Sequence, residues 1–254
     1  MNLKKYYLTA LLSAALFFNG RCLEKKYYNP LPRINISLEN KCVLDETVLE
    51  LLRFGITEKF SKEISDIIKK HLNTRSEKGG NIYFYYNSLV FYEAPNLNDD
   101  RIVRLENILE YDEGLINEIN MDLENRYINS ICSPSTKNEG WKFQINVAKN
   151  ILDKTGPNDV LNLKMALEKY LNMLRTTYSS GKIIEKNPKG RFLGNLHTHN
   201  NGSEFSEIDI CLSEISREYY FLVSFDAINP EYFDFYAACG GETSFIGKYK
   251  VIGN

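Results

Sequence analysis

The amino-acid sequence predicts an α/β sandwich with a polar site at one sheet edge. Three observations carry that expectation. An amphipathic helical repeat begins at Thr57, an aromatic β-hairpin pattern follows it, and strand, helix and strand alternate over the last third. Periods of 3.6 and 2.0 in the apolar residues separate the two kinds of element.

Taken in order, Phe60, Ile64, Ile67, Ile68 and Leu72 share one face of a helix that ends near Asn73, before Gly79-Gly80. Residues 81–92 are then rich in aromatic and branched side chains, are broken at Asn87-Ser88, and stop at Pro95, the pattern of a hairpin. Residues 101–131 and 159–180 read as helical. Asp159 stands as a cap after Pro157, and Leu163, Leu167, Leu171 and Leu174 form one stripe. Between them, Gly140 to Val147 alternates apolar and polar residues and reads as a short strand. Arg191 to Leu196 reads as a strand running into His-Thr-His. Ser206 opens a helix to about Glu218, and strands follow at Tyr219–Phe225 and near Phe245–Ile252.

Composition narrows the function classes. The 254 residues are 43% hydrophobic and 25% charged, values of an ordinary globular chain. A formal charge of -2 and no basic–aromatic cluster argue against nucleic acid. At the N-terminus, Lys4 and Lys5 precede an uncharged run from Tyr6 to Phe18, followed by Asn19-Gly20-Arg21. That order reads as a secretory signal peptide over residues 1–22, with a run too short for a spanning helix, so no transmembrane helix is expected in the mature chain. A secreted or periplasmic protein follows. Cys22 sits where a lipidated cysteine would, although Arg21 before it fits a lipoprotein cleavage site poorly. Residues 23–45 are polar and carry Pro30 and Pro32, an extended lead-in within an N-terminal extension over 23–56. The five cysteines have no CxxC spacing, so no zinc ribbon is expected. Their connectivity is not readable, and an isolated buried thiol is the plain reading of Cys211.

The chemistry concentrates at residues 197–209. Two of the three histidines form His197-Thr198-His199, and on a strand residues i and i+2 face the same side. Asp209 falls in the first turn of the following helix. Two imidazoles and one carboxylate make three zinc ligands with a fourth position open for water, the catalytic arrangement. That zinc lowers the pKa of the water and polarises a scissile carbonyl. The plain alternatives are two surface histidines, and a capping box in which Ser206 caps the helix and Asp209 reaches back. Their co-occurrence at this spacing, with glycine in the loop, favours the metal.

The stretch His-Thr-His-Asn-Asn-Gly-Ser-Glu-Phe-Ser-Glu-Ile-Asp resembles the motif of the JAMM/MPN (JAB-domain) zinc metalloproteases, nearest to bacterial secreted members. The likeness covers about residues 190–252, with a fainter echo at 57–95. It implies a cytidine-deaminase-like MPN sandwich over 57–254, with a helical insertion at about 96–189. It also implies zinc on His197, His199 and Asp209, with Ser206 steadying an oxyanion and an upstream glutamate moving the water's proton. Asn200 departs from the family's proline, which loosens the loop but removes no ligand. For the glutamate, Glu77 matches in context, after a helix and before two glycines and the hairpin; a solvated turn carboxylate is its plain reading. Glu139-Gly140-Trp141 is the rival. His71 reads as a helix-surface residue. The activity implied is hydrolysis of a peptide or isopeptide bond in a protein or peptide substrate. A non-catalytic MPN-type binding module and a zinc amidohydrolase of cell-wall or small amide substrates are the alternatives.

Overall fold

The computed structural model describes residues 42–108, 110–129, 139–216 and 218–253. The expected signal segment, most of the lead-in and Cys22 lie outside them. Seven helices and one six-stranded sheet are seen among the described residues.

The first helix, α1 (Glu46–Gly55), lies in the stretch to which the sequence assigned no element. Asp45 caps it by accepting the Val48 N–H at 2.9 Å, and Leu49 and Leu52 are its buried side. Helix α2 (Glu58–Thr74) follows at once. Thr57 accepts the Phe60 N–H, and the stripe Phe60, Ile64, Ile67 and Ile68 is buried as the periodicity required. Arg75, in the left-handed region at φ 53°, ends it.

Strands β1 (Gly79–Tyr85) and β2 (Ser88–Ala94) form the hairpin. Its loop is Tyr86-Asn87, both with positive φ, one residue earlier than the composition suggested. Such a two-residue turn matches the twist of paired strands. Strands β3 (Arg191–His199), β4 (Tyr219–Phe225), β5 (Tyr232–Cys239) and β6 (Glu242–Lys250) complete a sheet of order β2-β1-β3-β4-β5-β6. Only β3 and β4 pair in parallel, and helix α7 (Glu207–Ser216) connects them. Strand β5 was not assigned from sequence, although Tyr-Phe-Asp-Phe-Tyr has the alternation of one.

One face of the sheet packs on α2, where Phe60 meets Phe235 with ring centroids 5.7 Å apart and Phe221 stacks on Phe235. His71 belongs to this packing. It is 4% exposed, against the surface position expected, and its ring lies edge-on to Phe225 at 5.1 Å. A disulfide joins Cys42, just before α1, to Cys239 at the end of β5. Cys211 is disulfide-bonded too, which corrects its reading as an isolated thiol.

Between β2 and β3 stand four helices, α3 (Asp99–Glu106), α4 (Glu113–Asn129), α5 (Glu139–Leu152) and α6 (Val160–Arg175). They bury a core of their own that includes Leu105, Ile119, Leu123, Ile145 and Leu174. Helix α5 replaces the short strand expected at 140–147. Its alternation, Phe143, Ile145, Val147, imitated a period of two. The packing instead uses Ile145, Ala148 and Leu152 at helical spacing and leaves Phe143 68% exposed. No described helix is long and apolar enough to cross a membrane.

Candidate metal centre

The site is built where β3 ends. Alternation along β3 turns His197 and His199 to one face and Thr198 to the other, so the two imidazoles meet with Nε2 atoms 3.1 Å apart. Thr198, fully buried against α2, accepts the Lys78 N–H at 2.8 Å and lies 2.7 Å from Nδ1 of His71. That bridge ties the histidine strand to both the helix and the loop before β1.

Glu77 enters from that loop. Gly79 stands opposite His197 in the β1–β3 register. A Cβ there would come within 2.1 Å of the Leu196 carbonyl and 2.9 Å of the Tyr178 ring. Glycine therefore lets β1 lie this close, and Glu77 Oε1 comes to 3.5 Å from His199 Nε2. From the other side, Asp209 in the first turn of α7 lies 3.4 Å from His197 Nε2 and 3.6 Å from His199 Nε2.

Four side chains thus converge, none more than 14% exposed. Ligand atoms of Glu77, His197 and His199 all lie within 4.8 Å of one another, so this group could hold a metal ion. Asp209 faces both imidazoles, 3.4 Å from His197 Nε2 and 3.6 Å from His199 Nε2, but it stands outside that mutually close group.

The surroundings orient these groups. The Glu204 carbonyl lies 3.0 Å from His199 Nδ1. A carbonyl only accepts, so Nδ1 carries the hydrogen and Nε2 presents its lone pair inward. Asp209 Oδ2 accepts both the Ser206 hydroxyl, at 2.6 Å, and the Ser206 N–H, at 2.9 Å. The Asp209 N–H returns to Ser206 Oγ at 3.3 Å, so a reciprocal cap is formed. The capping alternative is thus present in the same residues that face the histidines. Outer partners of this kind fix the ligands of metal sites.

Charge is strongly redistributed. Burial pushes the Glu77 carboxyl up to about 8, and nearby Asp209 adds to the rise against the pull of His197. Burial disfavours a charged His197, but the Asp209 carboxylate and then Glu77 outweigh it and lift the ring to about 9. Burial and the neighbouring His197 lower His199 to about 4. Asp209, despite its burial, is held well below the usual carboxylate range by His197 and Ser206. A cluster of this kind also suits a shared cation, because imidazole nitrogens and carboxylates are donors that hold divalent metal ions.

Of the residues singled out in the sequence, the structure brings Glu77, His197, His199 and Asp209 together and sets Ser206 on Asp209. Glu139 instead opens α5 in the helical insertion. Sequence reasoning did not find the Glu204 carbonyl or Thr198 as supports. It also missed Ser224, which is paired with His199 in the β3–β4 register. Ser224 is 1% exposed, and its hydroxyl has no partner among the described residues. A backbone carbonyl leaves no residue signature, and a lone serine in a strand is indistinguishable from packing. No protein-family model, curated protein or solved structure matches the chain.

Proposed function

We propose that the chain is a zinc-dependent hydrolase of peptide or isopeptide bonds with an MPN-type fold, acting outside the cytoplasm. The observation that carries this reading is that Glu77, from before β1, and Asp209, from α7, both approach His199 Nε2, while Asp209 also reaches His197 Nε2. In this reading Glu77, 120 residues before His197, is the proton-transfer carboxylate beside the two histidines, with which it forms a group that could hold a metal ion. His197, His199 and Asp209 would hold the ion. Zinc there would act as a Lewis acid and make a water nucleophilic near neutral pH.

The chain's own groups do the rest. Glu77 takes one proton from the attacking water as its oxygen bonds to the scissile carbonyl carbon, then delivers that proton to the departing amine as the C–N bond breaks. Ser206, when its hydroxyl turns from Asp209, can donate to the oxygen that gains charge. The disulfide between Cys42 and Cys239 is compatible with an extracellular location, as the expected signal segment implies.

Glu77→Gln tests the division of labour. The variant is expected to keep its zinc and lose about 10²–10⁴-fold in turnover on peptide or isopeptide substrates. Loss of zinc together with turnover would make Glu77 a ligand instead, and unchanged turnover in an active protein would refute the mechanism.

A further inference from the structure

Glu77 precedes β1 and so has no strand partner for its backbone, yet it is 7% exposed. Buried N–H and C=O groups must find partners, and here all of them come from the base of the helical insertion. The Glu77 N–H donates to the Arg175 carbonyl at 3.0 Å. Its carbonyl accepts from Asn96 Nδ2 at 2.9 Å. Arg175 ends α6, while Asn96 stands just after β2, so both chain ends of the insertion grip the same residue.

That base is itself closed. Leu97 N–H donates to the Ser179 carbonyl and Gly181 N–H to the Pro95 carbonyl, each at 2.8 Å. Asn96 is 3% exposed, and its Oδ1 accepts the Asn98 N–H at 2.9 Å. The next residue along the loop, Lys78, is buried with its ammonium on Asp99 Oδ2 at 2.5 Å and Ser76 Oγ at 2.9 Å. The insertion thereby holds the proton-transfer loop on one side and Thr198, between the histidines, holds it on the other.

We propose that Asn96 is a positioning residue for Glu77, and that through it the helical insertion sets where that carboxylate lies. Its catalytic half rests on the hydrolase reading above. Binding that loosens or tightens the insertion's base would then be felt in turnover before it is felt in metal binding. Asn96→Asp keeps the size and the acceptor but loses the donor to Glu77 and sets a carboxylate oxygen against its carbonyl.

The test compares full-length wild type, Asn96→Asp, and the insertion-core variant Ile119→Val, by zinc content, steady-state kinetics and amide hydrogen exchange. In Asn96→Asp, exchange of the peptide covering residues 76–80 is expected to accelerate at least about tenfold. Exchange in α6 and the zinc content should stay as in wild type. Its kcat is expected to fall about 10- to 100-fold at unchanged KM, the cost of a misplaced catalytic group. Ile119→Val should lower the melting temperature and leave the 76–80 exchange and kcat alone. Unchanged exchange at 76–80 in Asn96→Asp overturns the clamp, whatever the protein catalyses. Faster exchange with unaltered kcat, or an equal kcat loss in Ile119→Val, overturns the positioning role. A wild type that binds zinc but hydrolyses nothing removes the catalytic half with the reading beneath it, and the exchange comparison still decides the clamp.

Discussion

The sheet and the helical insertion are organised around opposite kinds of side chain. The sheet and the loop before it bring Glu77, His197 and His199 to one point at the end of β3, and α7 adds Asp209; the Glu204 carbonyl orients His199 and Ser206 orients Asp209. The insertion buries mainly aliphatic residues and keeps its charges at the margin, where Arg101 and Arg126 pair with Asp122. Tyr170, fully buried, reaches the same carboxylate at 2.5 Å. The candidate metal centre therefore belongs to the sheet, the four-helix segment has a core of its own, and the two meet at the Glu77 loop. Substitutions on the two sides should separate metal binding from folding.

On the site side, Ser206→Ala removes the hydroxyl that fixes Asp209. Losing an outer partner of a ligand typically lowers metal affinity or activity about 10- to 100-fold, whereas losing a helix cap costs about 1 kcal/mol. Zinc affinity by competition with a chromophoric chelator, read beside a thermal melt, checks the split. A melt that collapses with zinc affinity unchanged would leave Ser206 as a cap alone.

The insertion side should show the reverse. Burial raises the Asp122 pKa, but the hydrogen bonds of Arg126 and Tyr170 outweigh it, so the folded value is depressed. A depressed carboxylate contributes stability that is present above its unfolded pKa and lost as pH falls through the folded one. Asp122→Asn is expected to cost about 1.5–3 kcal/mol at neutral pH, as for hydrogen bonds to a charged group. The gap from wild type should close as the solution is acidified below the carboxylate range. Urea titrations at several pH values measure it, and zinc content should not change. A gap that widens on acidification would mean the paired form is not the ionised one.

The smallest effect is expected at Ser224, which lies beside His199 and whose hydroxyl has no partner among the described residues. Removing a buried unsatisfied hydroxyl should stabilise, so Ser224→Ala is expected to raise the unfolding free energy by up to about 1 kcal/mol. A destabilised variant would show that the hydroxyl has a partner in solution, such as a bound water.

The same contrast explains what could be read from the sequence. Where geometry follows from local periodicity, the residues announced it: the α2 stripe, the hairpin, and the two histidines facing one way on β3. Glycine at 79 and 80 marked the turn into β1 that brings Glu77 in, because no side chain fits against the Leu196 carbonyl at 79 or the Tyr92 carbonyl at 80. Residues 140–147 misled because their alternation coincides with a strand, and only the insertion's core selects Ile145, Ala148 and Leu152. His71 looked exposed since a lone histidine carries no partner in sequence; Thr198 and Phe225 lie 127 and 154 residues away. Asn96 had no signal at all, as its role depends on two chain ends that meet only in the fold.

The central claim, that His197 and His199 hold zinc with Asp209, is tested most directly by elemental analysis of protein purified without chelator. Close to one zinc per chain is expected in wild type, and none in His199→Ala, whose circular dichroism should still show the mixed α/β fold. Wild type devoid of zinc after reconstitution, or His199→Ala that retains it in full, would contradict the account.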